Sequence, residues 1–460
     1  MNNKTLLYVS LIIGYIYILS IFSKYMFTGI FGFEITCLLV CLFFFFVFYA
    51  IGIKSSVDNL VQPLHIVFFF YLCIFFIAPL WLVTSGKADN HGYNVMGGCV
   101  YGTFLAVLAF VSFLVGYNYK KKNRDYVYTP FQDTLSQNTR KKVLRYSYIA
   151  LGLLIAVNLL QLILIGYNIK FLLTMGGDGL ANIVGIPDNL RFLFNLAYLT
   201  LVPWLFVMAY SKKKWILILS TYLLIVIFFA YGWRFIIYIV AIAGAVVYYK
   251  TRNKKPNILH LLVLGLILFS YSVVGGMLRG AMRSGERAQL NGVEANDMLY
   301  TIESNFDIYK TYYGAVDTYP EKHDFYYGKA IIWSSIAMWI PRFIWPDKPW
   351  STEWPTIEAF NIGSGGDSVI KYAMSSPNLT EYYIDFGIFG IIGFSFLLGY
   401  ISSRMLKYYY NNSIYDVIKY AIFCGYLIQI INRGYMAQQF TLAFFLFGPL
   451  LFYRKYFRYK

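Results

Sequence analysis

A chain of 460 residues that is 59% hydrophobic, 20% aromatic and only 13% charged lies far from the soluble average, in which about a quarter of residues are charged. Its net charge of +17 is not the footprint of a nucleic-acid partner, because the positive residues fall mainly in short polar links between apolar runs, the pattern that orients a polytopic membrane protein. The five cysteines, Cys37, Cys41, Cys73, Cys99 and Cys424, all sit in apolar runs and give neither a disulfide framework nor zinc-ligand spacing; they read as small core residues.

The chain opens with Met1 to Lys4 and the apolar run Leu6 to Phe22, which has the charge and hydrophobicity of a signal peptide but no small-residue cleavage site, so it reads as an uncleaved first span. At roughly 20 residues per crossing, spans are expected at 6–23, 30–53, 64–84, 98–117, 145–166, 191–211, 215–230, 235–249, 258–278, 386–405, 417–432 and 436–453. The fold class is therefore an all-α polytopic membrane protein of about twelve transmembrane helices with one large outer loop. Its expected organisation is helices one to nine over 1–278, the loop with interfacial helices and the active site over 279–385, and helices ten to twelve with a basic tail over 386–460. Of the 39 Lys and Arg residues, 24 lie in links on the side of the two termini, nine in the long loop and six in the short links opposite. That asymmetry puts both termini in the cytoplasm and the long loop outside.

Between spans five and six, Asn168 to Leu190 contains Met175-Gly-Gly-Asp-Gly179, a flexible outer loop. The runs on either side of Tyr231-Gly-Trp-Arg-Phe235, each of about 16 residues, are short for a crossing and suit a tight hairpin or segments tilted about a cavity. Arg279 to Asp385 holds nine Lys or Arg, fourteen Asp or Glu and one His, a concentration of chemistry found nowhere else in the chain. Within it, Met298, Ile302, Phe306, Tyr309 and Tyr313 fall at helical spacing opposite Glu303, Asp307 and Lys310, which predicts a helix lying on the outer membrane face. Three prolines in Pro341-Arg-Phe-Ile-Trp-Pro-Asp-Lys-Pro349 rule out a regular helix there, and Trp345 and Trp350 suit the membrane surface.

Arg279, Arg283 and Arg287 follow the ninth span at intervals of four, so a continued helix lines them on one face at the mouth of an acidic loop. Such arginines commonly snorkel to headgroups; three in register also make a clamp for a diphosphate, since a guanidinium fork meets phosphate at two points and keeps its charge. Arg234 and Arg433 sit at the outer turns of short helical pairs and reach the same side, and Arg342 lies in the proline-rich stretch; interfacial anchoring competes with anion binding for each. Glu34, Asn158, Gln161, Gln429, Gln438 and Gln439 are polar groups within or at the ends of spans and are expected to face a bundle interior. Glu381 and Asp385 share a helix face just before the tenth span. Capping is the plainer role for Asp385, whereas Glu381, flanked by Tyr382 and Tyr383, is the better general base. His323 is the loop's one histidine, more often a structural residue than a catalytic one. No Asp-x-Asp metal pair, P-loop, Gly-x-Ser-x-Gly or Cys/His ligand set occurs, and arginine-based chemistry without metal or cofactor is what the motifs leave.

The run Asp324-Phe-Tyr-Tyr-Gly-Lys329, then Ile340-Pro-Arg-Phe-Ile-Trp-Pro-Asp-Lys-Pro349, then Glu381-Tyr-Tyr-Ile-Asp-Phe-Gly387 ahead of a span, resembles the bacterial O-antigen polymerases of the Wzy type, the oligosaccharide repeat-unit polymerases. The resemblance covers roughly 230–450, with Thr380-Glu381 where many relatives read Gly-Glu. It implies joining of undecaprenyl-diphosphate-linked repeat units at the outer face of the cytoplasmic (inner) membrane, into O-antigen of lipopolysaccharide or into capsule. The implied partners are those lipid-linked oligosaccharides, membrane lipids, and the chain-length regulator and flippase of the same pathway, with no nucleic acid. Arginines supply charge at the diphosphate and Glu381 the base, with Asp385 and His323 as alternatives. A ligase-like glycosyltransferase using the same donor, or a polysaccharide flippase, are the other classes; charges gathered in one outer loop favour an enzyme over a carrier.

Overall fold

The computed structural model describes residues 61–84, 86–87, 89–90, 93–119, 130–164, 192–231, 234–254, 308–340, 344–345 and 376–458, with isolated helical positions between 259 and 270. Apart from one antiparallel pair of two-residue strands, Asp89–Asn90 and Tyr93–Asn94, the regular structure among these residues is helical. In chain order the helices are α1 (Pro63–Trp81), α2 (Met96–Asn118), α3 (Gln137–Leu164), α4 (Phe194–Tyr210), α5 (Lys214–Ala230), α6 (Arg234–Thr251), α7 (Ile308–Thr318), α8 (Ser334–Trp339), α9 (Asn378–Tyr409), α10 (Ile414–Asn432) and α11 (Met436–Arg458).

Six of them, α1, α2, α3, α9, α10 and α11, are long and apolar enough to cross a membrane, and α4, α5 and α6 are shorter apolar helices. A helix is thus described for nine of the twelve expected spans; 6–23 and 30–53 lie outside the described residues, and 258–278 is described only at isolated positions. Helix ends follow local chemistry. Pro63 opens α1 where no amide donor is needed, the Ser136 hydroxyl accepts from the Thr139 amide at 3.2 Å to cap α3, and α2 stops at Tyr119, whose backbone turns extended just before Lys120–Lys122.

The described residues form two compact units that interleave along the chain, one within 1–125, 306–405 and 427–441, the other within 126–305, 406–426 and 442–460. In the first, α7 is buried on nearly every side: Tyr309, Tyr312 and Tyr313 have no exposure, and Lys310 retains 8%. The expected helix on the membrane face is therefore a core element here, its stretch before Ile308 lying outside the described residues. The reason is a groove on α2: a Cβ added at Gly98 would meet the Tyr313 carbonyl oxygen at 2.0 Å, and one at Gly102 the Tyr313 ring at 2.4 Å. Buried tyrosines need partners for their hydroxyls. Tyr312 donates to the Gly102 carbonyl at 2.9 Å and Tyr313 to the Phe75 carbonyl, in the wide π turn Cys73–Ile77 of α1, at 3.0 Å. The exposed apolar face is carried instead by the stretch around α8, through Ile332, Trp333, Ile336 and Trp339, a composition suited to the membrane interface. Helices α2 and α9 cross at backbone contact, since a Cβ at Gly116 would lie 2.0 Å from the Phe396 carbonyl oxygen and one at Gly399 2.0 Å from that of Phe113. Small residues at such crossings let dispersion contacts hold helices that share an apolar solvent.

In the second unit, α5 and α6 form the hairpin expected around Tyr231, and polar side chains bond it to α3. The Tyr231 hydroxyl lies 3.0 Å from Asn158 Oδ1 and 3.1 Å from Gln161 Oε1 of α3, so two of the polar span residues are satisfied by helix-to-helix hydrogen bonding. Gly425 of α10 meets Ile239 of α6 closely enough that a Cβ would lie 2.7 Å from its Cα, and Gly244 gives room to Trp204. The Phe206 ring stacks on Tyr453 at 4.8 Å.

Two glycines of α9 separate packing from propensity. An added methyl at Gly399 collides with Phe113, while one at Gly393 finds no atom within 4 Å. Gly399→Ala is expected to cost about 1–3 kcal/mol of stability and Gly393→Ala to leave it unchanged or higher, read as the midpoint of thermal unfolding in detergent. Equal midpoints for the two variants would contradict a backbone-to-backbone crossing.

Candidate active site

Helix α9 is two helices meeting at a corner. Phe386 (φ −138°, ψ 18°) and Gly387 (φ 57°, ψ −140°) leave helical geometry, and the Gly387 conformation is one essentially closed to residues with a Cβ. The bend is sharp. Tyr382 and Phe394, twelve residues apart and so about 18 Å apart along a straight helix, stack with ring centroids 5.0 Å apart. The first part, Asn378 to Asp385, lies folded beside the start of the second. From Ile388 to Tyr409 the second part alone spans about 33 Å, enough to cross the hydrocarbon core, so Glu381 and Asp385 stand on the short arm ahead of the crossing.

Asp385 is the hinge of this arrangement. Its Oδ1 accepts from the amides of Gly328 and Ala330, both at 3.0 Å, and its Oδ2 from that of Ile331 at 2.9 Å. These are the free first-turn donors of the helical stretch that begins with the π turn Lys329–Trp333 and runs into α8, where a carboxylate also meets the positive end of the helix dipole. The corner releases two carbonyls of the arm as well, Ile384 accepting from Tyr326 at 2.9 Å and Asp385 from Tyr327 at 2.8 Å. The Phe325 ring closes over Gly387, 2.9 Å from where a Cβ would be. The motif Asp324–Lys329 and the motif Glu381–Gly387 are thus two halves of one joint.

Glu381, one turn earlier, is buried to 3% exposure and has a different set of contacts. Its Oε2 accepts from the Met436 amide at 2.8 Å, at the first residue of α11. Among the described residues Oε1 has no hydrogen-bond partner. The link that carries Arg433 is joined to the same arm, since the Gly434 amide donates to the Ser376 carbonyl at 2.6 Å and Gln439 Nε2 donates to the Arg433 carbonyl at 2.7 Å. Around this junction, the buried Ser376 Oγ, Asn378 Oδ1, Thr380 Oγ1 and Gln429 Oε1 have no partner among the described residues. Buried polar atoms cost free energy unless bonded, so a group of them beside a carboxylate marks a place built for water or a polar ligand. Sequence reading singled out Gln429 and Gln439 but missed Ser376, Asn378 and Thr380, whose only sequence signal is their position in the turn before Glu381.

His323 belongs to the same unit. Its ring lies 5.6 Å from that of Tyr319, and its buried Nε2 has no partner among the described residues. Tyr383, two residues after Glu381, donates its hydroxyl to the Tyr319 carbonyl at 2.9 Å and meets Phe325 edge-on at 5.8 Å. Glu381, Asp385, His323 and the Arg433 link are therefore in one unit. Arg234 begins α6 in the other unit. Arg279, Arg283, Arg287 and Arg342 lie outside the described residues, as do Glu34 and Trp350.

The family model for the O-antigen polysaccharide polymerase Wzy matches residues 7–458. Comparison with curated proteins and with solved structures returns no match. The matched region takes in the joint between 324–331 and 381–387, the buried carboxylates and every apolar helix described above. The chain belongs to the O-antigen polysaccharide polymerase Wzy family, multi-pass membrane enzymes of glycosyltransferase type that act on lipid-linked oligosaccharide repeat units.

Proposed function

We propose that the substrate is an undecaprenyl-diphosphate-linked repeat unit and that Glu381 is the general base. The acceptor sugar hydroxyl gives its proton to Glu381 as its oxygen bonds to the anomeric carbon of the growing glycan; the bond from that carbon to the diphosphate breaks, and its electron pair leaves with the lipid diphosphate. The observation that carries this assignment is the contrast between two neighbouring carboxylates. Asp385 spends both oxygens on three backbone amides, whereas Glu381 is oriented through Oε2 and keeps Oε1 for another partner. A base must have a free lone pair at a fixed position; Glu381 keeps a whole oxygen for that, whereas Asp385 has three of about four acceptor sites taken. The unpartnered Nε2 of His323 keeps it next in order.

Diphosphate leaves as a weak base, so the transition state chiefly asks for positive charge at its oxygens. Arg279, Arg283 and Arg287, with Arg234, Arg342 and Arg433, are the residues proposed to supply it, without a metal. The proposed topology has twelve spans, both termini in the cytoplasm and the long loop outside, and the charge asymmetry of the links supports it.

Glu381→Gln keeps an acceptor for the Met436 amide but cannot take a proton. A loss of roughly 10²- to 10⁴-fold in rate is expected, seen on a gel of surface polysaccharide as collapse of the ladder toward a single repeat unit with the protein still in the membrane. A ligase would lose every attached repeat and a flippase would strand the unit inside; a full-length ladder would retire Glu381 as the base. For the clamp, Arg283→Lys keeps the charge and loses the fork, so chain length should shorten. Wild-type polymer from both Arg279→Ala and Arg283→Ala at normal protein level would remove the clamp. For topology, Lys322 and Lys213 are exposed: cysteine at 322 should react with an impermeant maleimide on intact cells, and cysteine at 213 only after permeabilisation. The reverse result would overturn the orientation.

A further inference from the structure

A cavity of about 350 Å³ opens at the basic end of α3 and α11, within the second unit. One wall is a single face of α3, made by Lys142, Arg145, Tyr146 and Ile149, with Thr139 at its rim. The other comes from Tyr456 and Phe457 near the end of α11. Tyr146 joins the two, its ring 6.0 Å edge-on from Tyr456 and 5.3 Å from Phe457, and the hydroxyl of the next residue, Ser147, lies 3.3 Å from that of Tyr453. The wall is a packed junction with two cations on its lip.

Those cations are uncommitted. Arg140 is paired with Asp133 at 3.2 Å and Arg454 with Asp416 at 3.6 Å, but Lys142 and Arg145 make no ion pair with any described residue, and no carboxylate is among the described residues that line the cavity. The depth is also specific. α3 has 28 residues, about 42 Å, against a hydrocarbon core of about 30 Å, so its basic first turns stand in the headgroup layer. Below the cavity the same helix face continues as Ile149, Leu153, Val157, Leu160 and Leu164, all exposed at 40–77%. That strip is about 22 Å long, more than the depth of one leaflet.

We infer that the cavity binds the headgroup of an anionic phospholipid, its phosphate between Lys142 and Arg145 and its chains along the α3 strip. Two cations with no acidic neighbour among the described residues select against a headgroup that brings its own ammonium, and basic pockets between membrane helices are suited to anionic headgroups. The aromatic shelf of Tyr146, Tyr456 and Phe457 fits the glycerol level, where amphipathic rings favour the interface. Nothing here depends on the reaction proposed for Glu381.

The test is binding of dioctanoyl phosphatidylglycerol to the full-length protein purified in a neutral detergent, beside dioctanoyl phosphatidylcholine and inorganic phosphate. Saturable binding of phosphatidylglycerol is expected, weakened roughly fivefold by Arg145→Ala and about thirtyfold by Lys142→Ala with Arg145→Ala, at about 1 kcal/mol per basic residue. Lys141→Ala, exposed on the same turn but outside the cavity, should leave it unchanged. Equal binding of phosphatidylcholine, equal binding of phosphate alone, an unaffected double variant, or a Lys141→Ala loss equal to that of Arg145→Ala would each overturn the inference. If the double variant does not fold, as read by its melting temperature without lipid, the single variants Lys142→Gln and Arg145→Gln carry the same comparison.

Discussion

The carboxylate of Asp385 is the constraint on which the site depends. Three amides from Gly328, Ala330 and Ile331 converge on it, and hydrogen bonds to a charged acceptor are about twice as strong as neutral ones. They fix the entry of the α8 stretch to the last residue before the corner of α9. The corner, in turn, is possible because Gly387 adopts a conformation without a Cβ penalty, and it folds the short arm back against the crossing. Through those three bonds the carboxylate positions the arm.

From that joint the rest of the first unit follows. The arm is held at one end by Asp385 and at the other by the Gly434 amide on the Ser376 carbonyl, so Glu381 between them has little freedom. Its single bond to Met436 caps α11 from another helix and aims the carboxylate at the same time. Tyr319, Phe325 and Tyr383 fill the space around the arm with rings, which excludes water and strengthens the electrostatics of whatever polar group enters. The group of unpartnered oxygens at Ser376, Asn378 and Thr380 is the opposite of this apolar wall and belongs to the start of the same short arm.

Much of this was legible in the chain. Hydrophobic run length located the described helices, because a bilayer imposes nearly the same length on each crossing. The family was legible in the order of three motifs, and the match over 7–458 extends that resemblance to the first 200 residues. What composition hides is partnership. Nothing in the spacing of Asp385 says that its donors lie 54 to 57 residues earlier. Capping was a fair reading of it, but the helix it caps belongs to another part of the chain. The burial of α7 was hidden for a similar reason. Tyr309 and Tyr313 at helical spacing resemble an interfacial stripe until Gly98 and Gly102, more than two hundred residues earlier, are seen to leave a groove for them.

The α5 and α6 hairpin carries a consequence for the membrane itself. Helices of 17 and 18 residues reach only about 26 Å, short of the roughly 30 Å that a bilayer's hydrocarbon presents. A bilayer meeting such a pair must thin beside it, or flanking side chains must reach outward, each at fractions of a kcal/mol per Å of mismatch. Lys212, Lys213 and Lys214 with the exposed Trp215 stand at one end of α5 with the long stems and amphipathic ring that this requires. Where this pair crosses a bilayer, acyl-chain length thereby enters the energetics of the unit.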